Sequence, residues 1–252
     1  VVQREERVAW FKMLHPGLYV YHCAAPPVMD HIANGMYGLI LVEPKKGLSK
    51  ADQEFYIMQH EVYGRFQEKP KDKDALETQS PDDFWAEENA GGPGHSDQVQ
   101  QPETGEHIFS HQDGLDEHPK FVFFNGKYGK HLGEGALKAK TGEKIRIFFG
   151  NAGPNLISSF HVIGEIFDRV YREGDLIDRP SRSIQTTLVP AGGSSIVEFG
   201  LEVPGTYTLV DHAIFRVEKG AVGYLEVEGK PNHQIYVSDQ DAVLCEGCLV
   251  HP

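Results

Sequence analysis

The sequence has little of several features that would each indicate a particular class of protein. Its 252 residues include three cysteines, at positions 23, 245 and 248, which do not make a disulfide framework. No apolar run reaches roughly 18 residues, so no membrane-spanning helix is predicted. Basic residues number 24 against 37 acidic ones, and the formal net charge of −13 argues against a nucleic-acid-binding surface. The remaining composition, 40% hydrophobic with 14 Phe and 10 Tyr, is typical of a globular protein with one or two β-rich domains.

Three potential metal ligands lie close together near the start of the chain. Cys23, His31 and Met36 supply a thiolate, an imidazole and a thioether in the spacing C-x7-H-x4-M. Blue-copper electron-transfer sites use two His, one Cys and a weak axial Met. A single Cys or Met more often only fills space in a core. The joint spacing, after a Tyr-rich strand and before a second apolar strand, favours copper binding.

His22 immediately precedes Cys23 in the same predicted strand. Successive strand residues face opposite sides, so His22 is directed away from the metal that Cys23 would bind. The pattern predicts that His22 serves a second site, one peptide bond from the first.

Two segments of the chain read alike. In each, the motif P-G-x-Y, at residues 16–19 and 204–207, precedes a polar cluster and then G-x-x-G-x-x-x-V-E, at residues 35–43 and 220–228. Each copy is interpreted as the last two strands of a β-sandwich, so the sandwich occurs twice. The second copy has Asp211 where Cys23 would align and has no Met, which predicts no blue-copper site of its own.

The two copies differ in what precedes them. Five alternating, strand-like runs precede the second copy, as a Greek-key sandwich requires, whereas only 15 residues precede the first. The predicted fold class is all-β, with tandem sandwich domains of which the first is incomplete, as in an N-terminally truncated piece. The predicted boundaries are 1–63 for the first domain, including a strand at Glu54–Met58, 64–118 for a polar linker, 119–230 for the second domain and 231–252 for a tail.

Several motifs resemble those of the copper-containing nitrite reductases, in the class with the compact ligand loop. The resemblance rests on Tyr-His-Cys-Ala at 21–24, the His31–Gly38 segment, Ser-Ser-Phe-His-Val-Ile-Gly at 158–164, Pro-Ala-Gly-Gly at 190–193 and Val-Asp-His at 210–212. It implies tandem cupredoxin domains, a homotrimer, type 1 and type 2 copper, and reduction of nitrite to nitric oxide in denitrification. It also implies a small electron-donor protein, either a cupredoxin or a c-type cytochrome, and a periplasmic or envelope location.

The resemblance also implies roles for individual residues. Cys23, His31 and Met36 match type 1 copper ligands, and the remaining matches follow. These are His22, a type 2 ligand; His212, a type 2 ligand donated to the neighbouring subunit; His161, the active-site His beside the type 2 copper; and Ile163, which shapes the substrate pocket. His161 suits proton transfer because an unperturbed His titrates near neutral pH. Structural alternatives remain, with His161 as a core residue and His212 as the end of a strand.

In that family the fourth type 1 ligand, another type 2 His and the catalytic Asp lie in the first half of the first domain. No residue from Val1 to Met13 can replace them, so the chain alone is expected to be inactive and to hold neither copper in native form.

Two rival functions are considered. A laccase-like multicopper oxidase needs several His-x-His pairs, and the sequence has none. A simple cupredoxin electron carrier would not need His22, His161 and His212. The motif C-x-x-C at 245–248 lacks the adjacent His of a c-type haem site. It is therefore interpreted as part of the C-terminal tail and not as a haem site. The four histidines of the linker (His95, His107, His111 and His118) are interpreted as surface residues.

Overall fold

Strands dominate the part of the chain that the computed structural model describes, which is residue 6, residues 8–67 and residues 106–238. The elements in chain order are β1 (Gly17–His22), α1 (Val28–Ala33), β2 (Tyr37–Val42), β3 (Gln53–Val62), β4 (Gly64–Gln67), β5 (Glu106–Phe109), α2 (His111–Leu115), β6 (Phe121–Phe124), β7 (Leu137–Lys140), β8 (Lys144–Asn151), β9 (Ser158–Ile163), β10 (Arg169–Arg172), β11 (Thr186–Val189), β12 (Gly193–Gly200), β13 (Gly205–Asp211) and β14 (Val222–Glu228). Both helices are short. The predicted all-β class is confirmed.

Two five-stranded sheets pack face to face and enclose the core. Their strand orders are β10-β12-β8-β3-β6 and β11-β9-β13-β14-β7. Aromatic rings join the two layers: Phe149 of β8 stacks on Phe160 of β9 with centroids 4.1 Å apart, and Phe160 lies 6.1 Å from Phe167. All three side chains are fully buried. Apolar residues alternate along the strands because each strand turns one face to the opposite sheet.

Strand β3 corrects the domain assignment made from the sequence. The strand containing Glu54–Met58 was expected in the first domain, but β3 pairs in parallel with β8 and antiparallel with β6. It therefore occupies a central position in a sheet of the second sandwich. Residues 119–230 do not complete this sandwich alone, and its pairing is not wholly antiparallel, because β14 also pairs in parallel with β7. Parallel pairing joins segments that are far apart in the chain, so the local sequence pattern does not predict the partner of β3.

Strands β1 and β2 form a two-stranded antiparallel hairpin that packs on β8 and β12. Leu18, 2% exposed, is the main anchor. Its N–H donates to the Gly174 carbonyl at 2.9 Å, and its carbonyl accepts from Ser194 Oγ at 2.5 Å. Strand β12 is buried at six consecutive residues because the opposite sheet covers one face and the hairpin lies against the other.

The segment predicted to be a linker contains ordered elements at both ends. Strands β4 and β5 pair with each other, and α2 begins after Ser110, whose side chain accepts from the Asp113 N–H at 3.2 Å. His111 and His118 are exposed, as expected. His95 and the tail motif at 245–248 lie outside the described residues, as does the side chain of His107.

Within the described part of the chain, none of the helices has the length and apolar character needed to cross a membrane.

Candidate metal centres

The first candidate centre lies at the connected end of the hairpin, where β1 is followed by α1. Cys23 directly follows β1, and α1 carries His31 back toward it. Cys23 Sγ and His31 Nδ1 are 3.3 Å apart. Two ligands of one tetrahedral metal, with metal–sulfur and metal–nitrogen bonds of about 2.3 and 2.0 Å, would lie about 3.5 Å apart. The two atoms are thus spaced as two ligands of one metal ion would be.

Met36 is brought beside Cys23 by backbone hydrogen bonds. The Cys23 N–H donates to the Met36 carbonyl at 2.9 Å, and the Met36 N–H donates to the His31 carbonyl at 3.0 Å. The turn before Met36 requires Gly35, whose φ of +93° is rarely adopted by residues with a Cβ. The Met36 side chain is 51% exposed. The sequence Cys-x7-His-x4-Met therefore folds into one compact loop.

His22 lies on the other face of β1 from Tyr21 and Cys23. It pairs with Tyr37 across the hairpin and is exposed. Its Nδ1 is 2.8 Å from the Cys23 carbonyl oxygen. A carbonyl oxygen only accepts, so Nδ1 carries the proton and Nε2 is left with a free lone pair. Metal-binding histidines are commonly oriented in this way.

The second candidate centre lies in the second sandwich, where β9 and β13 are neighbours. His161 is buried and His212 is exposed, with ring centroids 5.3 Å apart. The His161 Nδ1 lies 2.7 Å from the Gln185 carbonyl, so this nitrogen is the donor and Nε2 is free. The expected proximity of His161 and His212 is therefore found, with His212 at the surface.

Asp211 anchors the backbone that follows His212 and the neighbouring strand β9. Its Oδ1 accepts from the N–H groups of Ser159 and Ala213, both at 3.0 Å. Its Oδ2 accepts from Gln59 Nε2 at 2.9 Å and from Arg216 Nη1 at 2.6 Å. The carboxylate is fully buried. Cys23 is a potential metal ligand of the first repeat, whereas Asp211, at the equivalent position of the second repeat, fixes the backbone by hydrogen bonds.

An open depression of about 560 Å³ lies beside His212. Ser159, Arg172, Gln185 and Thr186 are among its lining residues. Ile163 is 47% exposed and shares the face of β9 that carries His161, since the two residues are two positions apart.

Within the ranges that the structure describes, no group of three or more His, Cys, Asp or Glu side chains is arranged to hold a metal ion. The structure therefore brings the candidate site residues together in two pairs, Cys23 with His31 and His161 with His212.

Reasoning from the sequence did not identify the residues that support these arrangements. Gln59, His60 and Arg216 are the main ones. The signal available for the first two was their place in strand β3, directly after the apolar run Phe55–Met58. Their partners lie far away in sequence, so the pattern alone does not name them.

The paired sheets and the Cys–His loop define the class of the protein, which is the cupredoxin-fold proteins. No family model matches the chain. It is 50% identical to the copper-containing nitrite reductase of Neisseria meningitidis serogroup A over 226 residues, which are 89% of this chain and 50% of that protein.

Solved structures give the same result. The copper nitrite reductase of Nitrosomonas europaea matches with 30% identity and a TM-score of 0.63, over 86% of this chain and 64% of that one. The Cu-containing nitrite reductase of Thermus scotoductus matches with 27% identity and a TM-score of 0.64, over 86% of this chain and 43% of that one. A multicopper oxidase shares the fold as well.

The resemblance predicted from the motifs is confirmed: the chain is a homologue of the copper-containing nitrite reductases. It spans about half the length of the curated relatives it matches.

Proposed function

We propose that the protein of which this chain forms part is a copper-dependent nitrite reductase that converts nitrite to nitric oxide with one electron and two protons. The observation that carries the proposal is the 3.3 Å separation of Cys23 Sγ and His31 Nδ1, with His22 on the opposite face of the same hairpin. In this proposal Cys23, His31 and Met36 bind type 1 copper, and His22 and His212 bind type 2 copper. The chain alone supplies only part of each ligand set and is expected to be inactive.

Copper bound at these positions would supply one-electron chemistry and an open coordination position for an anion. The chain contributes the connection between the sites, because Cys23 and His22 are joined by one peptide unit. It also contributes His161, whose ring is fixed through Nδ1 and can take up or release a proton at Nε2. Ile163, on the same strand face, is proposed to shape the substrate pocket.

The proposed assembly is a homotrimer in which His212 of one subunit binds the type 2 copper beside His22 of the next. Both side chains are exposed in the single chain, which suits a site formed between copies. An electron donor, either a cupredoxin or a c-type cytochrome, would deliver electrons to the Cys23 site. We place the protein in the periplasm or at the cell envelope, in a denitrification pathway.

The rival functions are less well supported. A multicopper oxidase shares the fold but needs His-x-His pairs, which this sequence lacks. A non-catalytic electron carrier would explain Cys23, His31 and Met36, but it gives no role to the pair formed by His161 and His212.

A chimera tests the proposal. The chain is joined to the remaining part of the Neisseria meningitidis relative, loaded with copper and supplied with nitrite and a reduced artificial donor. We expect nitric oxide to form, measured with an electrode. Cys23→Ser should abolish the blue colour, and His161→Ala should keep both coppers while slowing turnover by about 10²-fold or more. A chimera that holds both coppers but reduces no nitrite would disprove the function.

A further inference from the structure

One buried histidine of β3 has no part in the proposed function. His60 is 5% exposed, and it lies next to Gln59, which is fully buried. Because neighbours on a strand face opposite sides, the two side chains point in opposite directions. Gln59 reaches Asp211, at the second candidate centre. His60 faces the hairpin and α1, at the first.

The His60 ring contacts residues on both sides of the loop that carries the candidate ligands. It lies 5.0 Å from the Tyr37 ring and 6.0 Å from the Phe123 ring, centroid to centroid. Tyr37 follows Met36 directly and begins β2. The backbone of Ala33, the last residue of α1 and itself 7% exposed, also lies against the ring. The imidazole is thus packed between the second sandwich and the His31–Met36 segment, at Ala33 within the segment and at Tyr37 just after it.

Ring packing and a backbone hydrogen bond to Ala33 together account for this contact. His60 Nδ1 is buried and has no hydrogen-bond partner among the described residues. Burial also lowers the pKa of the ring to about 4, so it is neutral near pH 7. A polar ring with an unpaired nitrogen is costly to bury. The aromatic contacts with Tyr37 and Phe123 offset that cost.

A second contact reaches α1 from outside. His111 Nδ1 of α2 lies 2.8 Å from Asp30 Oδ1, and both side chains are partly open to solvent. Exposed pairs of this kind contribute little to stability. The buried ring of His60 is therefore the stronger of these two restraints on the helix.

We propose that His60 is a positioning residue: packed on Tyr37 and Ala33, it holds the His31–Met36 segment against Cys23 from the second sandwich. Its significance for copper rests on the proposed function. The restraint itself is a property of this chain and does not need bound metal. The positions of the candidate ligands in the hairpin loop would then depend on a side chain of the second sandwich.

The reactivity of the Cys23 thiol tests this proposal on the metal-free chain. The rate of alkylation by iodoacetamide is measured at Cys23 by peptide mass mapping, with Cys245 and Cys248 as internal references. Loss of an aromatic contact is worth about 1.4 kcal/mol, so His60→Ala should raise the Cys23 rate roughly tenfold. His60→Phe keeps a planar ring and should return the rate to within about twofold of the original. Hydrogen exchange at the Met36 amide should likewise become faster in His60→Ala and return toward the original rate in His60→Phe.

His131→Ala is the matched control, because His131 is also a buried histidine of the second sandwich, at 7% exposure. It should leave the Cys23 rate unchanged even though it destabilises the protein. The proposal is overturned if His60→Ala does not change the rate, or if His131→Ala raises it equally. If His60→Ala does not fold, Tyr37→Leu removes the same ring contact and should give the same rise. Failure of the chimera to reduce nitrite would leave these results untouched, so the two proposals fail separately.

Discussion

Asp211 stands in the second repeat at the position of Cys23 in the first, and its surroundings explain the difference. Its carboxylate is fully buried and accepts four hydrogen bonds, from Gln59, Ser159, Ala213 and Arg216. A cysteine could not accept this set with comparable strength, since a carboxylate has two oxygen acceptors and a cysteine has a single, weakly accepting sulfur. At the residue scale, the second repeat has exchanged a potential ligand for a support of His212.

Replacing Asp211 tests this support. Asp211→Asn removes the charge and leaves the guanidinium of Arg216 without its carboxylate partner, so the free energy of unfolding should fall by about 3 kcal/mol. Urea denaturation measures the change. The matched control is Asp178→Asn at an exposed position, which should change stability by less than about 0.5 kcal/mol. Equal effects of the two substitutions would contradict the role given to Asp211.

His60 predicts a pH dependence of stability with a definite sign. Burial lowers its pKa to about 4 from 6.5. The unfolded chain therefore binds a proton at this residue between pH 6.5 and pH 4 that the folded chain excludes. The stability contributed by the neutral ring is present above pH 6.5 and is lost as the pH falls toward 4.

The magnitude of this effect is up to about 3 kcal/mol. Urea denaturation of the original chain and of His60→Phe, at about pH 7 and about pH 4.5, measures it. The variant should lose less stability on acidification, and other titrating groups cancel in the comparison. Identical losses in the two proteins would refute the prediction.

At the scale of single elements, the ligand loop depends on the turn between α1 and β2. Asn34 N–H bonds back to Asp30 and Gly35 N–H bonds back to Ile32, which ends the helix. The chain then reverses at Gly35 so that Met36 can enter the ladder beside Cys23. The hairpin register places His22 opposite Tyr37, so the same turn also fixes the end of β1.

Gly35→Ala should strain this turn. The φ of +93° disfavours any residue with a Cβ, at a cost of roughly 1–2 kcal/mol, although the added Cβ would meet no atom within 4 Å. Thermal unfolding measures the loss of stability. Gly200→Ala is the control, because its Cβ also has open space and its φ lies outside the positive range. The strain explanation requires that Gly200→Ala be the less destabilising of the two.

At the scale of the whole molecule, the hairpin and the second sandwich form a continuous packed structure. Leu18 anchors the hairpin on β12 and β8, and β3 runs through the sheet beneath them. Strand β3 supports both candidate centres. On one face Gln59 bonds to Asp211, and on the other face His60 packs on Tyr37. His22 and His212 remain at the surface, where a second copy of the protein can reach them.

A shared metal site predicts the behaviour of His212→Ala in the copper-loaded chimera. The variant should lose one class of copper, seen as loss of the type 2 signal in electron paramagnetic resonance, and keep its blue colour. Nitric oxide production should fall by at least about 10²-fold, since the catalytic metal is missing. His233→Ala, another exposed histidine, should behave like the original protein. Retention of the type 2 signal by His212→Ala would refute the shared site.

The sequence alone determined the fold class and the candidate ligands, because both depend on local order. Alternating apolar residues predict sandwich strands, and the spacing of Cys23, His31 and Met36 fits one loop whatever lies beyond it. The opposite directions of His22 and Cys23 follow from strand geometry. The proximity of His161 and His212 was implied by the family resemblance, which associates both with the type 2 copper.

Only the tertiary structure decided where β3 belongs and what supports the candidate sites. Its parallel pairing with β8 joins residues about 90 positions apart, and no local pattern records such a partner. For the same reason Gln59 and His60 were not recognised as supports. Gln59 acts on Asp211, which is distant in sequence, and His60 acts on the hairpin at Tyr37. The ligands are specified by short segments of the chain, whereas their positions depend on long-range packing.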